Sequence, residues 1–301
     1  MVRLVLNMEK TTSKKPRKKL IASRLGRSFG GDLSIFLVLC IFAAFMALPL
    51  IYVVNNAFKP LDELFMFPPT FFVRNPTFEN FRNLTSLMGE SIVPVGRYFM
   101  NTLLLTVTIT VGHIIFASLA AYILAKRDFP GNKLFMSIVM LSLMFPAEVT
   151  AIPNYIIISD LSMIDTMWSI VLPGIGSSLG LFLMKQFMHG VPNSLIEAAR
   201  IDGAGELRIF FRIVMPMVKP AWLTLMILKI QGTWSLSGSA TIFSEELKTL
   251  DYAINQIVSA GISRAGASAA LTFLMMLVPL GAFVLSQSQV VQTMASSGIK
   301  D

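Results

Sequence analysis

Residues 191–220 read VPNSLIEAARIDGAGELRIFFRIVMPMVKP, a polar, glycine-punctuated stretch set between long apolar runs. Pro192 with Asn193 and Ser194 starts a helix, Glu197-Ala198-Ala199-Arg200 continues it, and Gly203 ends it with a residue free to take a positive φ. A second helix is expected beyond the glycine. Its Leu207, Phe210, Phe211 and Val214 fall three or four residues apart and form one apolar face beside Arg208 and Arg212. The stretch predicts a stiff projecting elbow, two short helical arms joined at a bend.

The sequence around the elbow is membrane-like. Of 301 residues, 54% are hydrophobic and 14% charged, against about 25% charged in a soluble domain. The charges also cluster: Leu33–Phe58 and Ala265–Ile299 contain no Asp, Glu, Lys or Arg. A spanning helix needs roughly 20 mostly apolar residues, because it must satisfy its own backbone hydrogen bonds where there is no water. Apolar runs predict six helices, at 33–57, 98–125, 134–158, 166–189, 214–240 and 268–289. The fifth is the most polar, since Lys229 and Gly232–Thr241 follow its apolar half. Prolines 49, 146, 153, 173 and 279 interrupt these runs, so kinked helices are expected. Together these features exclude a disulfide-stapled secreted scaffold, a disordered chain and an ordinary cytosolic enzyme. The single cysteine, Cys40, has no partner in the chain and sits in the first run, which is too long and too late for a cleaved signal peptide and is expected to stay as an anchor.

The net charge of +8 follows membrane orientation, and no nucleic-acid partner is expected. If the spans alternate, 18 Lys and Arg fall on one side, in the segment Arg3–Arg27, the 126–133 loop, the 185–219 region and Lys300. Six fall on the other, at Lys59, Arg74, Arg82, Arg97, Lys248 and Arg264, among nine acidic residues. The asymmetry predicts cytoplasmic termini and a cytoplasmic elbow. The run Lys14–Lys19 is read as a topology determinant that attracts anionic lipid. The external 58–97 segment, rich in Phe and Pro, is either a loop that caps its own bundle or a partner-docking surface.

Chemistry of its own is missing from the chain. There is no Gly-x-x-x-x-Gly-Lys-Ser/Thr phosphate loop, no serine elbow, and no metal-ligand spacing around His113 or His189, which are read as hydrogen-bonded structural histidines.

The 191–220 stretch resembles the EAA loop of membrane subunits in binding-protein-dependent ABC importers. The match consists of Glu197-Ala198-Ala199, Asp202-Gly203-Ala204, Ile213, Pro216 and Pro220. Further segments, Phe145-Pro146, Ile152-Pro153-Asn154-Tyr155, Trp168–Pro173 and Phe182–Phe187, are similar to the carbohydrate-uptake branch, in particular to permeases like the second one of the maltose importer. The outer-loop segments Phe58-Lys59-Pro60, Phe67-Pro68-Pro69 and Pro76–Phe81 fit the same branch. The chain departs from the pattern at Ser235, where Asn commonly follows the tryptophan, and at Glu148, where glutamine is more usual.

The resemblance implies an all-α polytopic protein with six transmembrane helices in the type I ABC importer permease fold. It would have a basic tail at 1–32 and a permease domain at 33–301, with a core at about 98–289, a coupling loop at 190–220 and a C-terminal tail at 290–301. It implies a sugar or oligosaccharide permease in a prokaryotic plasma membrane, without an ATPase site of its own. ATP and Mg would be bound by two cytoplasmic ABC ATPase subunits, and the other partners would be a second related permease, an extracytoplasmic solute-binding protein and membrane lipid. In that reading Glu197, Ala198, Ala199, Asp202, Gly203, Ala204, Ile213, Pro216 and Pro220 couple to the ATPase. Lys229, Trp234 and Glu148 are candidates for the translocation path, with a structural Lys229–Glu148 pair as the alternative, because intramembrane charges face the bundle interior. An ion-coupled secondary transporter, an ABC permease for a non-sugar solute and a structural membrane anchor are the other readings.

Overall fold

The computed structural model describes residues 29–89, 93–238, 240–259 and 261–297, and no strand occurs among them. The basic segment up to residue 28 and the last four residues of the tail lie outside that set. Helix α1 (Phe29–Phe58) contains Pro49. Its side chains up to Leu50, which form a contact unit of their own, are exposed nearly all round, Phe45 and Met46 at 65% and 68%. An apolar helix with no sheltered stripe has lipid as its solvent.

The second unit begins at Ile51. Two short helices, α2 (Leu61–Leu64) and α3 (Glu79–Gly89), lie in the segment that follows α1. This segment packs around buried polar groups. Asn80 Nδ2 donates to Ala57 O at 3.0 Å and Lys59 O at 2.6 Å, and Lys59 donates to Thr70 O. The Glu63 carboxylate accepts from Arg74 N at 2.7 Å. Phe58, Phe81 and Phe273 meet one another tilted or edge-on. The segment thus does cap its own bundle, while Phe67 and Phe78 stay 92% and 75% exposed.

Helix α4 (Val95–Lys126) is the central post. After it come α5 (Asn132–Ser142), α6 (Ala147–Asp160), α7 (Trp168–Ile175) and α8 (Ser178–His189), of which α7 and α8 pack on α4 and α5 packs on α8. The expected helix at 134–158 is therefore two helices, separated at 143–146 before Pro146, whose ring cannot continue the hydrogen-bond ladder. The expected helix at 166–189 is also divided, at Gly176-Ser177 just after Pro173. The α7 carbonyls freed at that break find side chains from elsewhere: His113 Nδ1 lies 2.7 Å from Ile175 O, and Lys229 Nζ donates to Gly174 O at 2.9 Å. Small residues let these backbones approach. A Cβ on Gly180 would sit 2.0 Å from His113 Nε2, and one on Gly112 would sit 2.8 Å from the Ile175 side chain.

Then come α9 (Asn193–Ile201), α10 (Glu206–Ile209), a π turn over Phe210–Val214, and α11 (Met215–Met217). Helix α12 (Lys219–Trp234) follows, bent 79° from the Glu206–Met217 segment, and the chain ends in α13 (Leu250–Ser259) and α14 (Ala265–Ser297). The expected 214–240 helix is shorter than its apolar pattern, because prolines 216 and 220 turn the chain at Val218 and Ser235 closes it. Among the described residues four helices are long and apolar enough to cross a membrane, Trp168–His189 counted as one despite its break, or five if the bent pair is one span. That is fewer than the expected six, the broken third run supplying only helices of 11 and 14 residues.

Candidate functional site

The elbow forms as its composition dictates. Gly203 takes φ +78°, Ala204 N bonds to Ala199 O at 2.9 Å, and Gly203 N bonds to Arg200 O at 3.0 Å. This pair of bonds is a Schellman closure, and it requires the left-handed conformation that a β-carbon disfavours. The expected single apolar face beyond the bend is divided instead. Phe210 and Val214 are 2% and 0% exposed and join Ile209, Met184 and Met188 in a core, whereas Leu207 and Phe211 remain 68% and 57% exposed. The π turn is the cause, since its extra residue rotates successive side chains off one stripe.

Among the motif residues, Glu197, Ala198, Asp202, Gly203 and Pro216 are exposed, and Ala199, Ala204, Ile213 and Pro220 are half-buried. Exposed Leu195, Ile201, Leu207 and Phe211 give the elbow apolar side chains that nothing among the described residues covers. The sequence reading missed the residues that hold the elbow in place. Glu206 accepts from Arg127 Nη2 at 2.6 Å, Arg200 Nε at 2.9 Å and the Tyr122 hydroxyl at 2.9 Å. Lys126 Nζ donates to Val191 O at 2.5 Å and to Asn193 Oδ1 at 3.0 Å. Only the acidic residue opening the second arm and the Lys-Arg pair ending α4 hinted at this, and their sequence separation hid the contact.

The path candidates are not brought together. Trp234 is 1% exposed, donates from Nε1 to Met275 O at 3.0 Å and meets Phe99 edge-on, so it belongs to the packing of α12 on α4 and α14. Glu148 is exposed in the first turn of α6. Lys229 is half-buried on the Gly174 carbonyl, and no Lys229–Glu148 ion pair occurs among the described residues. His113 is buried and hydrogen-bonded through Nδ1, while His189 is exposed. A groove of about 1100 Å³ between α4, α7 and α8 is lined by Val107, Val111, Phe116, Trp168 and Leu172 and touches none of the three path candidates.

On the far side of the bundle Asp165, held at φ +59°, accepts from the backbone amides of Phe243 and Ser244 at 2.9 and 2.8 Å and from the Ser244 hydroxyl. The Ser244 hydroxyl and amide, then the Phe243 amide, hold this exposed carboxyl below its ordinary range.

Long apolar helices broken near prolines, with a polar elbow bonded to the end of α4, define a multi-pass membrane component. The chain belongs to the binding-protein-dependent transport system inner membrane component family, whose model matches residues 113–292. It is 32% identical to the arabinooligosaccharides transport system permease protein AraQ of Bacillus subtilis (strain 168), over 71% of this chain and 79% of that protein. It is 36% identical to the sn-glycerol-3-phosphate transport system permease protein UgpE of Yersinia enterocolitica, over 49% of this chain and 53% of that one. The fold is shared with a chain of a bacterial ABC transporter involved in the import of the acidic polysaccharide alginate, at TM-score 0.73 and 20% identity over 87% of this chain and 98% of that one. The protein is thus a permease subunit in an inner membrane.

Proposed function

We propose that this permease subunit imports an oligosaccharide and draws its free energy from ATP bound, with Mg, in two partner ATPases on the cytoplasmic side. The observation that carries the proposal is the exposed, glycine-bent elbow, whose Glu197, Asp202 and Gly203 stand free beside apolar Ile201 and Leu207. A stiff element with uncovered apolar tips fits a socket in another protein and passes on its displacement. The basic excess around residues 126–133 and 185–219 supports a cytoplasmic location for it, with both termini on the same side of six spans. A second related permease would complete the path, and an extracytoplasmic binding protein would deliver the solute. The oligosaccharide class rests on the similarity to AraQ across 71% of the chain. The similarity to UgpE favours a second reading, a phosphorylated polyol. An ion-coupled carrier would have no use for the elbow.

The test is purification of the tagged chain from its own membranes, identification of what accompanies it, and uptake in vesicles of arabinooligosaccharides, alginate oligosaccharides and sn-glycerol-3-phosphate. ATP-dependent oligosaccharide uptake is expected. Uptake of glycerol phosphate alone would move the reading to the second class, and uptake that followed an ion gradient without ATP would overturn both.

A further inference from the structure

Two adjacent residues at the end of α4 grip opposite arms of the elbow. Lys126 Nζ reaches the entry to the first arm, donating to Val191 O at 2.5 Å, Asn193 Oδ1 at 3.0 Å and His189 O at 3.4 Å. Arg127 reaches the start of the second arm at Glu206 Oε1, 2.6 Å away. The same oxygen accepts from Arg200 of α9 at 2.9 Å, so one carboxylate joins the two arms to each other as well as to α4. Its other oxygen takes the hydroxyl of Tyr122, whose ring meets Phe210 edge-on at 5.6 Å and is 6% exposed. A single surface ion pair is weak and pliable. Three charge-assisted or hydroxyl donors converging on one carboxylate, anchored by a buried ring, are geometrically restrictive in a way that one pair is not.

We infer that Glu206 and Lys126 are positioning residues that fuse both arms of the elbow to the end of α4, so that elbow and α4 move as one rigid body. The inference rests on the coupling role proposed for the elbow. Its consequence is a defined route for displacement. Motion delivered at Ile201 and Leu207 passes undiminished to α4, and from α4 to α7 through the His113 contact with Ile175 O and to α8 through the close approach at Gly180. Without the clasp the arms would hinge at the loops, and the ATPases could turn over while α4 stayed still.

The experiment uses the transporter purified whole through a tag on this chain, with Cys40→Ser and spin labels at Ile123→Cys on α4 and Ile201→Cys on the elbow, positions 50% and 87% exposed. A label separation that is unchanged by ATP in the otherwise native chain is expected, together with a broadened one in Glu206→Gln and Arg127→Ala and a native one in the charge-conserving Arg127→Lys. The same Glu206→Gln transporter should hydrolyse roughly 2- to 30-fold more ATP per solute imported, the range over which substitutions along a coupled network act. A separation that shifts with ATP in the native chain would overturn the inference, as would a Glu206→Gln distribution no broader than the native one. Should the chain bring no ATPase with it, the coupling role fails on that ground, and the nucleotide-free widths of Glu206→Gln and Arg127→Lys still decide the clasp.

Discussion

Gly203 shows how much one residue type can determine. At φ +78° a side chain with a β-carbon costs about 1–2 kcal/mol, and a β-branched one more. A Cβ there would meet nothing within 4 Å, so the cost of substitution is conformational and steric crowding adds nothing. Gly203→Val is expected to leave the amount of assembled protein unchanged and to abolish solute stimulation of ATP hydrolysis in the complex. Unchanged stimulation would remove the bend from the mechanism. Lys229 shows the opposite case, a charge whose partner was not readable. Its ammonium serves the Gly174 carbonyl, so Lys229→Met should strand that acceptor and cost about 1–3 kcal/mol in thermal unfolding. Glu148→Gln should not restore the loss, because the two side chains do not pair. Recovery in the double variant would show that they do.

At the scale of elements, the α4–α8 contact depends on the absence of a side chain. A methyl group at Gly180 would sit 2.0 Å from His113 Nε2, and the histidine is 1% exposed and held through Nδ1 at Ile175 O. Gly180→Ala is therefore expected to lower stability by about 1–3 kcal/mol, the usual cost of overpacking. Much of the loss should disappear in a His113→Ala background, as measured by thermal unfolding in detergent. Equal losses in both backgrounds would mean that the close approach is not what the glycine provides. The loops have their own joint at Asp165. Its carboxyl is held below the ordinary range by the Ser244 hydroxyl and amide and the Phe243 amide. A depressed folded-state value means that the stabilisation is complete above the unfolded value and is lost as pH falls through the folded one. Protection of the Phe243 and Ser244 amides against hydrogen exchange should fall on acidification below the usual carboxylate range. In Asp165→Asn it should be low at every pH.

For the whole molecule, the number and direction of crossings is the first matter. Six crossings with the two broken runs each spanning once would place the elbow and both termini on one side. Cysteines introduced one at a time at Ser13, Gly203 and Ser297 in a Cys40→Ser background should then share one labelling side in sealed cells, and one at Ser162 should show the other. Helix α14 runs unbroken from Ala265 to Ser297, about 50 Å at 1.5 Å per residue, against about 30 Å of hydrocarbon. The helix is thus longer than the hydrocarbon needs, and in the proposed topology the turns after Gln287 would extend beyond the bilayer on the elbow side. Deleting residues 290–301 should lower ATP hydrolysis of the assembled complex, and wild-type hydrolysis after deletion would dismiss a role for the tail.

The features readable in the sequence are those set by local chemistry. Charge-free runs determine where lipid replaces water, Gly203 determines the bend, Pro146 marks a break between two helices, and the EAA spacing identifies the family. Each depends on residues within a turn or two of one another, or on composition averaged over a span. The tertiary structure decided what depends on distant partners. It buried Trp234 in packing and gave Lys229 to a carbonyl 55 positions away. It split the 206–217 face through a π turn, and it brought Glu206 to Arg127 across 79 positions. The physical reason is that a polar side chain in a dry interior takes whichever donor or acceptor the fold brings to it. That partner is set by how the helices pack, which the sequence around the residue does not specify.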